Sequence, residues 1–254
     1  MSTTQNTDQR TSGTATTLRR LTRIAGVLYL AIFIVYPLST SVRGSLVVPG
    51  DATATAENIR ASEGLFRLGM AGEASIFLIE IGLAAVLYVM FRPVSRAGSF
   101  AAALARVAEG VVMAAGNVFT SIATLVALGG AGYLAVYSAD QLDGLGLFFQ
   151  EANDSIILVW GLFFALSLTI TGWLVYRSGF IPKLPGVLLA LAGLGYFVQS
   201  FGVLIAPGLA GPLEIVVMVL AIPGELVFAL WLLIKGVDAD AWSRRAAQIE
   251  GGAL

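Results

Sequence analysis

The stretch Ser155–Tyr176, SIILVWGLFFALSLTITGWLVY, runs for 22 residues without one charged side chain. At 1.5 Å per residue, ~20 helical residues cross a hydrocarbon core ~30 Å thick. Lipid offers no partner to an open backbone N–H or C=O, so a run of this kind has to be a helix. Working outward, five more stretches share its character: Ile24 to about Ser39, Gly69–Phe91, Ser99–Leu128, Leu184–Ile205 and Leu213–Ile234. The run over 99–128 is long enough to tilt or to project beyond the membrane. The expected fold is therefore all-α, a polytopic transmembrane helical bundle of six spans. It occupies residues 19–237, between a disordered cytoplasmic tail, 1–18, and a cytoplasmic C-terminal tail, 238–254.

The composition agrees. Apolar residues make up 57% of the 254 and charged residues 12%, with a mean hydropathy of +0.85. A soluble domain carries roughly 25% charged residues, so this chain could not cover a globular surface with polar groups. Its net charge of −1 supplies no basic face for a phosphate backbone, which excludes nucleic acid as a partner. The chain has no Cys and no His. That removes disulfides, thiolate nucleophiles, imidazole metal sites, axial His ligation and Ser-His catalysis. Any acid–base chemistry has to use Asp, Glu, Lys, Arg or Tyr.

Charge in the connections orients the bundle. With the N-terminus in the cytoplasm, eleven Lys and Arg residues fall inside, Arg43, Arg60 and Arg67 fall outside, and Arg106 lies within a span. Both termini are thus expected on the cytoplasmic side of the plasma membrane. Arg19, Arg20 and Arg23 before the first apolar run also resemble an export signal, but with several spans following, an uncleaved first helix is the simpler reading. Two short outer-loop helices are expected. Asp51 follows a Pro49-Gly50 turn and can cap a helix from Ala52 to about Ser62. Ser138 and Gln141 have capping-box spacing, and a helix started there carries Leu142, Leu145 and Phe149 on one face. Either helix shields the outer ends of the bundle or forms a lid over an outward-facing cavity. No internal repeat of the transporter kind is evident.

The informative residues are ionisable groups inside the spans. Glu73 and Glu80 share a face of the second span, Arg106 and Glu109 share a face of the third, and Glu225 lies near the middle of the sixth. Counting from the inner flanks places Glu80, Arg106 and Glu225 ~15–18 Å deep, with Glu109 ~4–5 Å further out. Charges at that depth cost at least ~2.5–3.5 kcal/mol each, so they should face the bundle and find partners. Arg106 can neutralise one carboxylate through its planar fork. Neutral partners are at hand in Asn117, Gln199, Ser200 and Thr120. This set either staples helix register or handles a proton or a small polar solute. In the second case Arg106 is the fixed counter-charge and Glu225, beside Pro223 in a kinked helix, the gated carboxylate. No nucleophile–base pair or metal-ligand spacing occurs, so no catalytic residue, metal or cofactor is assigned and enzymatic activity is not expected. A protein partner or a homo-oligomer is left open.

Several segments, in order, carry a family resemblance: RIAGVLYL at 23–30, VPGDATATAENI at 48–59, LFRLG at 65–69 and ADQL at 139–142. They continue with YRSGFIPK at 176–183, AGLGY at 192–196 and GELVFALWLLIKGV at 224–237. Together they resemble the bacterial six-span proteins grouped as domain-of-unknown-function family 4386. The resemblance implies a multi-pass membrane fold and brings no activity with it. Two departures from the family's pattern stand out: Gln199, where Asp is common, and an extra proline in Pro182-Lys183-Leu184-Pro185-Gly186.

Overall fold

A computed structural model describes residues 2–251. The helices are α1 (Ser2–Leu46), α2 (Ala52–Ala61), α3 (Glu63–Phe91), α4 (Arg96–Met113), α5 (Phe119–Leu128), α6 (Ala139–Ser178), α7 (Lys183–Ile205), α8 (Ala210–Ile234) and α9 (Ala239–Gly251). A π-helical turn, Ala114–Val118, joins α4 to α5 in one continuous stretch. Among the described residues there is no strand, and six helical stretches are long and apolar enough to cross a membrane. These are the six expected spans.

Their ends differ from the expected ones in ways that matter. Residues 2–18, expected to be disordered, belong to α1, and Met1 lies outside the described residues. Once a helix is nucleated by an apolar run, each added residue needs only one further hydrogen bond; α1 runs on through Pro37 and ends at Leu46, ahead of Pro49. The same propagation carries α1 beyond Ser39 and places Arg43 in its last turn. Both outer-loop helices form. Asp51 accepts from the Ala54 N–H at 2.9 Å, and Ser138 and Gln141 close the capping box at 2.9 and 3.3 Å. The second is not separate, however: it runs on into the fourth span as the 40-residue α6. The C-terminal tail holds α9, and residues 252–254 lie outside the described residues.

The chain forms two compact units. The first comprises Met1–Leu30, Ile81–Val107 and Gly161–Leu254; the second comprises Ala31–Glu80 and Ala108–Trp160. In the first, α6 and α7 meet backbone to backbone. A Cβ on Gly172 would stand 2.6 Å from the Gly186 carbonyl, and one on Gly186 2.7 Å from the Gly172 carbonyl. Small residues allow this approach, which brings dispersion contact that lipid alone would not. Gly224 does the same for α8 against the Leu188 carbonyl of α7. The segment leading into α9 is tied down by an Asp238 N–H bond to the Phe180 carbonyl at 3.0 Å. The helix itself is tied by a Trp242 Nε1 bond to the Met90 carbonyl at 2.8 Å.

In the second unit, α2 docks through Thr55, Ala56 and Ile59. The two apolar residues of that face pack with Leu46, Phe66 and Leu128. Thr55 also bonds both backbone groups of Val48, which fixes the turn before α2. Arg60 reaches across to the buried Asp143 of α6 at 2.6 Å and to the Leu128 carbonyl at 3.4 Å.

Candidate functional site

Buried polar side chains concentrate in the second unit. Half-buried Arg43 joins them from α1; Glu73 comes from α3 and Asn117 from the π-helical turn. Thr120, Ser121 and Thr124 come from α5, Gln150 and Asn153 from α6. Spacings of three and four put positions 117, 120, 121 and 124 on one helical face, and positions 146, 150 and 153 on another. The two faces meet. Thr124 Oγ1 accepts from Gln150 Nε2 at 2.7 Å and has the Thr120 and Gly146 carbonyls at 3.0 and 3.2 Å for its own proton. Beside Asn117, Gly116 lets α6 approach so closely that a Cβ there would overlap the Ile156 side chain. The π turn sits at this contact; such single-turn insertions re-aim the residues around them and recur at functional sites.

The Arg43 guanidinium points both terminal nitrogens at the Asn153 amide oxygen, each at 2.9 Å, and Asn153 donates in turn to Asn117 Oδ1 at 2.6 Å. This amide orientation is assigned from its neighbours, since the reverse would set N–H against N–H. Glu73 Oε1 lies 3.5 Å from Arg43 Nε, well beyond the ~2.7–2.9 Å of a charge-assisted hydrogen bond. The cation is therefore held by a neutral amide, and its own carboxylate stands off. Glu73 is 1% exposed and the Arg43 side chain 14%. Within the same set, both Glu73 oxygens, Asn117 Nδ2, Ser121 Oγ and Gln150 Oε1 are buried without a hydrogen-bond partner. Native interiors leave few such groups, and each calls for an explanation. Here they combine acceptors, a carboxyl group among them, with two donors, so the set is equipped for an O–H- or N–H-bearing guest or for a proton.

The residues singled out from the sequence divide between the units. Glu73, Glu80, Glu109 and Asn117 lie in the second, and Arg106, Gln199 and Glu225 in the first. Glu73 and Asn117 join one network, through Arg43 and Asn153. Glu80 and Glu109 are both buried, and α3 meets α4 there: a Cβ on Gly110 would lie 3.7 Å from the Glu80 Cβ. Arg106 is buried in the first unit, donates to Tyr29 Oη at 3.3 Å and lies over the rings of Tyr29 and Phe164 at 5.2 and 5.5 Å. Gln199 and Glu225 are half-buried there. Arg43, an outer flank by sequence, and Ser121, Thr124, Gln150 and Asn153 are members of the centre that depth and charge in the sequence do not single out. One signal was available: nothing between Ser39 and Pro49 stops a helix, and Gln150 and Asn153 lie one turn apart just before the uncharged run at 155.

The family model described as domain of unknown function (DUF4386) matches residues 24–236. An uncharacterized protein of Archaeoglobus fulgidus is 31% identical over 161 residues, covering 63% of this chain and 79% of that one. No solved structure matches. With six apolar helices, and with the segments from Arg23 to Val237 that carry the resemblance, the chain belongs to the DUF4386 family of multi-pass membrane proteins.

Proposed function

We propose that this membrane protein binds and passes a proton or a small polar solute, using the buried centre formed by Arg43, Glu73, Asn117 and Asn153. One observation carries the proposal: a carboxylate 1% exposed whose oxygens take no hydrogen bond, 3.5 Å from a guanidinium turned towards an amide. A charge kept in a membrane span without full pairing costs stability, and such residues commonly mark solute or proton paths. The process is binding and passage, with no covalent step and no cofactor. Both termini face the cytoplasm, on the strength of the Lys and Arg bias, and the plasma membrane is the location we propose. Labelling of single cysteines introduced into this cysteine-free chain, at Ala54 and Ala247, checks that orientation.

The test uses purified protein in liposomes with an entrapped pH dye, alongside thermal stabilisation by a panel of small polar solutes. Glu73→Gln should abolish uptake or stabilisation while leaving the bundle equally or more stable. Activity lost in Glu225→Gln but kept in Glu73→Gln would move the site to the first unit and overturn the assignment. A second reading, in which the centre only fixes helix register or presents the protein to a partner, draws on the two 2.9 Å bonds from Arg43 to Asn153. It requires that Glu73→Gln unfold the bundle and that no solute act.

A further inference from the structure

The contact of α6 with α7 leaves a furrow on the outside of the first unit. Its floor is Gly172, Gly186 and Ala190, where the backbones nearly touch. Its walls are Trp173 and Tyr176 on α6 and Leu191, Leu194 and Phe197 on α7. From Gly186 to Phe197 it extends ~16 Å along the helix, about half of a ~30 Å hydrocarbon core and so the depth of one leaflet. Tyr176 and Gly186, at one end of the furrow, lie next to the turn between α6 and α7, which two cations flank. The Lys183 Nζ lies 5.1 Å above the Tyr176 ring, itself part of the furrow wall, and Arg177 is exposed one residue further along.

We propose that this furrow is a binding site for one anionic phospholipid. An acyl chain lies along Gly172 and Gly186, and the phosphate is held by Lys183 and Arg177. An apolar slot one leaflet deep fits a lipid tail. Two cations at its mouth, one of them positioned over an aromatic ring, select a negative headgroup over a zwitterionic one. The flanking Trp173 and Tyr176 are 46% and 45% exposed, as rings that pack against a tail and reach the headgroup level are. The site is independent of the polar centre in the second unit.

The experiment compares the melting temperature of the full chain in detergent with added phosphatidylglycerol or phosphatidylcholine of matched chains, with soluble glycerophosphate as a third arm. Native mass spectrometry counts the lipid retained after delipidation. Phosphatidylglycerol should raise Tm by about 2–4 °C more than phosphatidylcholine, with one molecule retained and no effect of glycerophosphate. In K183Q with R177Q that difference should vanish, whatever the variant's own baseline. Equal effects of the two lipids, a preference that survives the double substitution, or the same stabilisation from glycerophosphate would each overturn the proposal. Should the double variant fail to fold, lipid retention by the single variants decides: each should keep less phosphatidylglycerol than the natural chain, and unchanged retention refutes the site.

Discussion

Replacing Asn153 by Ala removes the acceptor of two Arg43 bonds at 2.9 Å and the donor of the 2.6 Å bond to Asn117. In a soluble core, hydrogen bonds to a charged group contribute ~1.5–3 kcal/mol each. Between membrane helices the measured average is ~0.6 and the maximum ~1.7, because the unpacked helices also find partners in the bilayer. The membrane scale applies to α1, α6 and the π turn, so three bonds imply a loss of about 2 kcal/mol, bounded near 5. Part of the loss is offset if the freed guanidinium turns towards Glu73, now 3.5 Å away. Reversible unfolding in mixed micelles by titration with SDS measures the change. A cycle with Arg43→Met isolates the pair, and its coupling energy should reach at least ~1 kcal/mol. An Asn153→Ala protein within ~0.3 kcal/mol of the natural one, with no coupling to Arg43, would refute the network.

Asp143→Asn removes the carboxylate that holds Arg60 at 2.6 Å. Since the Arg60 side chain is 43% exposed, solvent replaces part of the pair and the loss should be about 1 kcal/mol, read as lower unfolding resistance in the same titration. Asp51→Ala removes the cap on the Ala54 N–H and should cost about 1 kcal/mol, with faster amide exchange confined to α2. A Cβ on Gly172 cannot coexist with the Gly186 carbonyl at 2.6 Å. Gly172→Leu should therefore force α6 from α7 and lower Tm or prevent folding, whereas the same substitution at Gly144, open to space, should be tolerated.

The six spans were legible from residue order alone, because each depends on local quantities: the length of an apolar run and the rise of a helix. The start signals were legible for the same reason. Asp51 and the Ser138–Gln141 pair act on N–H groups within three residues of themselves, and no tertiary contact is needed to read them. Helix ends were less legible. Helix propagation, which no composition rule registers, extended α1 past Ser39 and fused the Ser138 helix to the fourth span. Partners within the membrane were the least legible. Depth counting placed Glu80, Arg106, Glu109 and Glu225 in one layer, but depth does not set rotation about a helix axis. The π turn at 114–118 adds a residue to the third span's register, which no periodicity rule predicts. That Arg43, at the outer end of α1, meets Asn153 is decided by side-chain packing between helices distant in sequence. The chain's order thus determined that it spans a membrane and where the capped helices α2 and α6 begin; only tertiary packing decided that Glu73 faces Arg43, because an interhelical contact depends on two rotations and a separation that neither helix specifies alone.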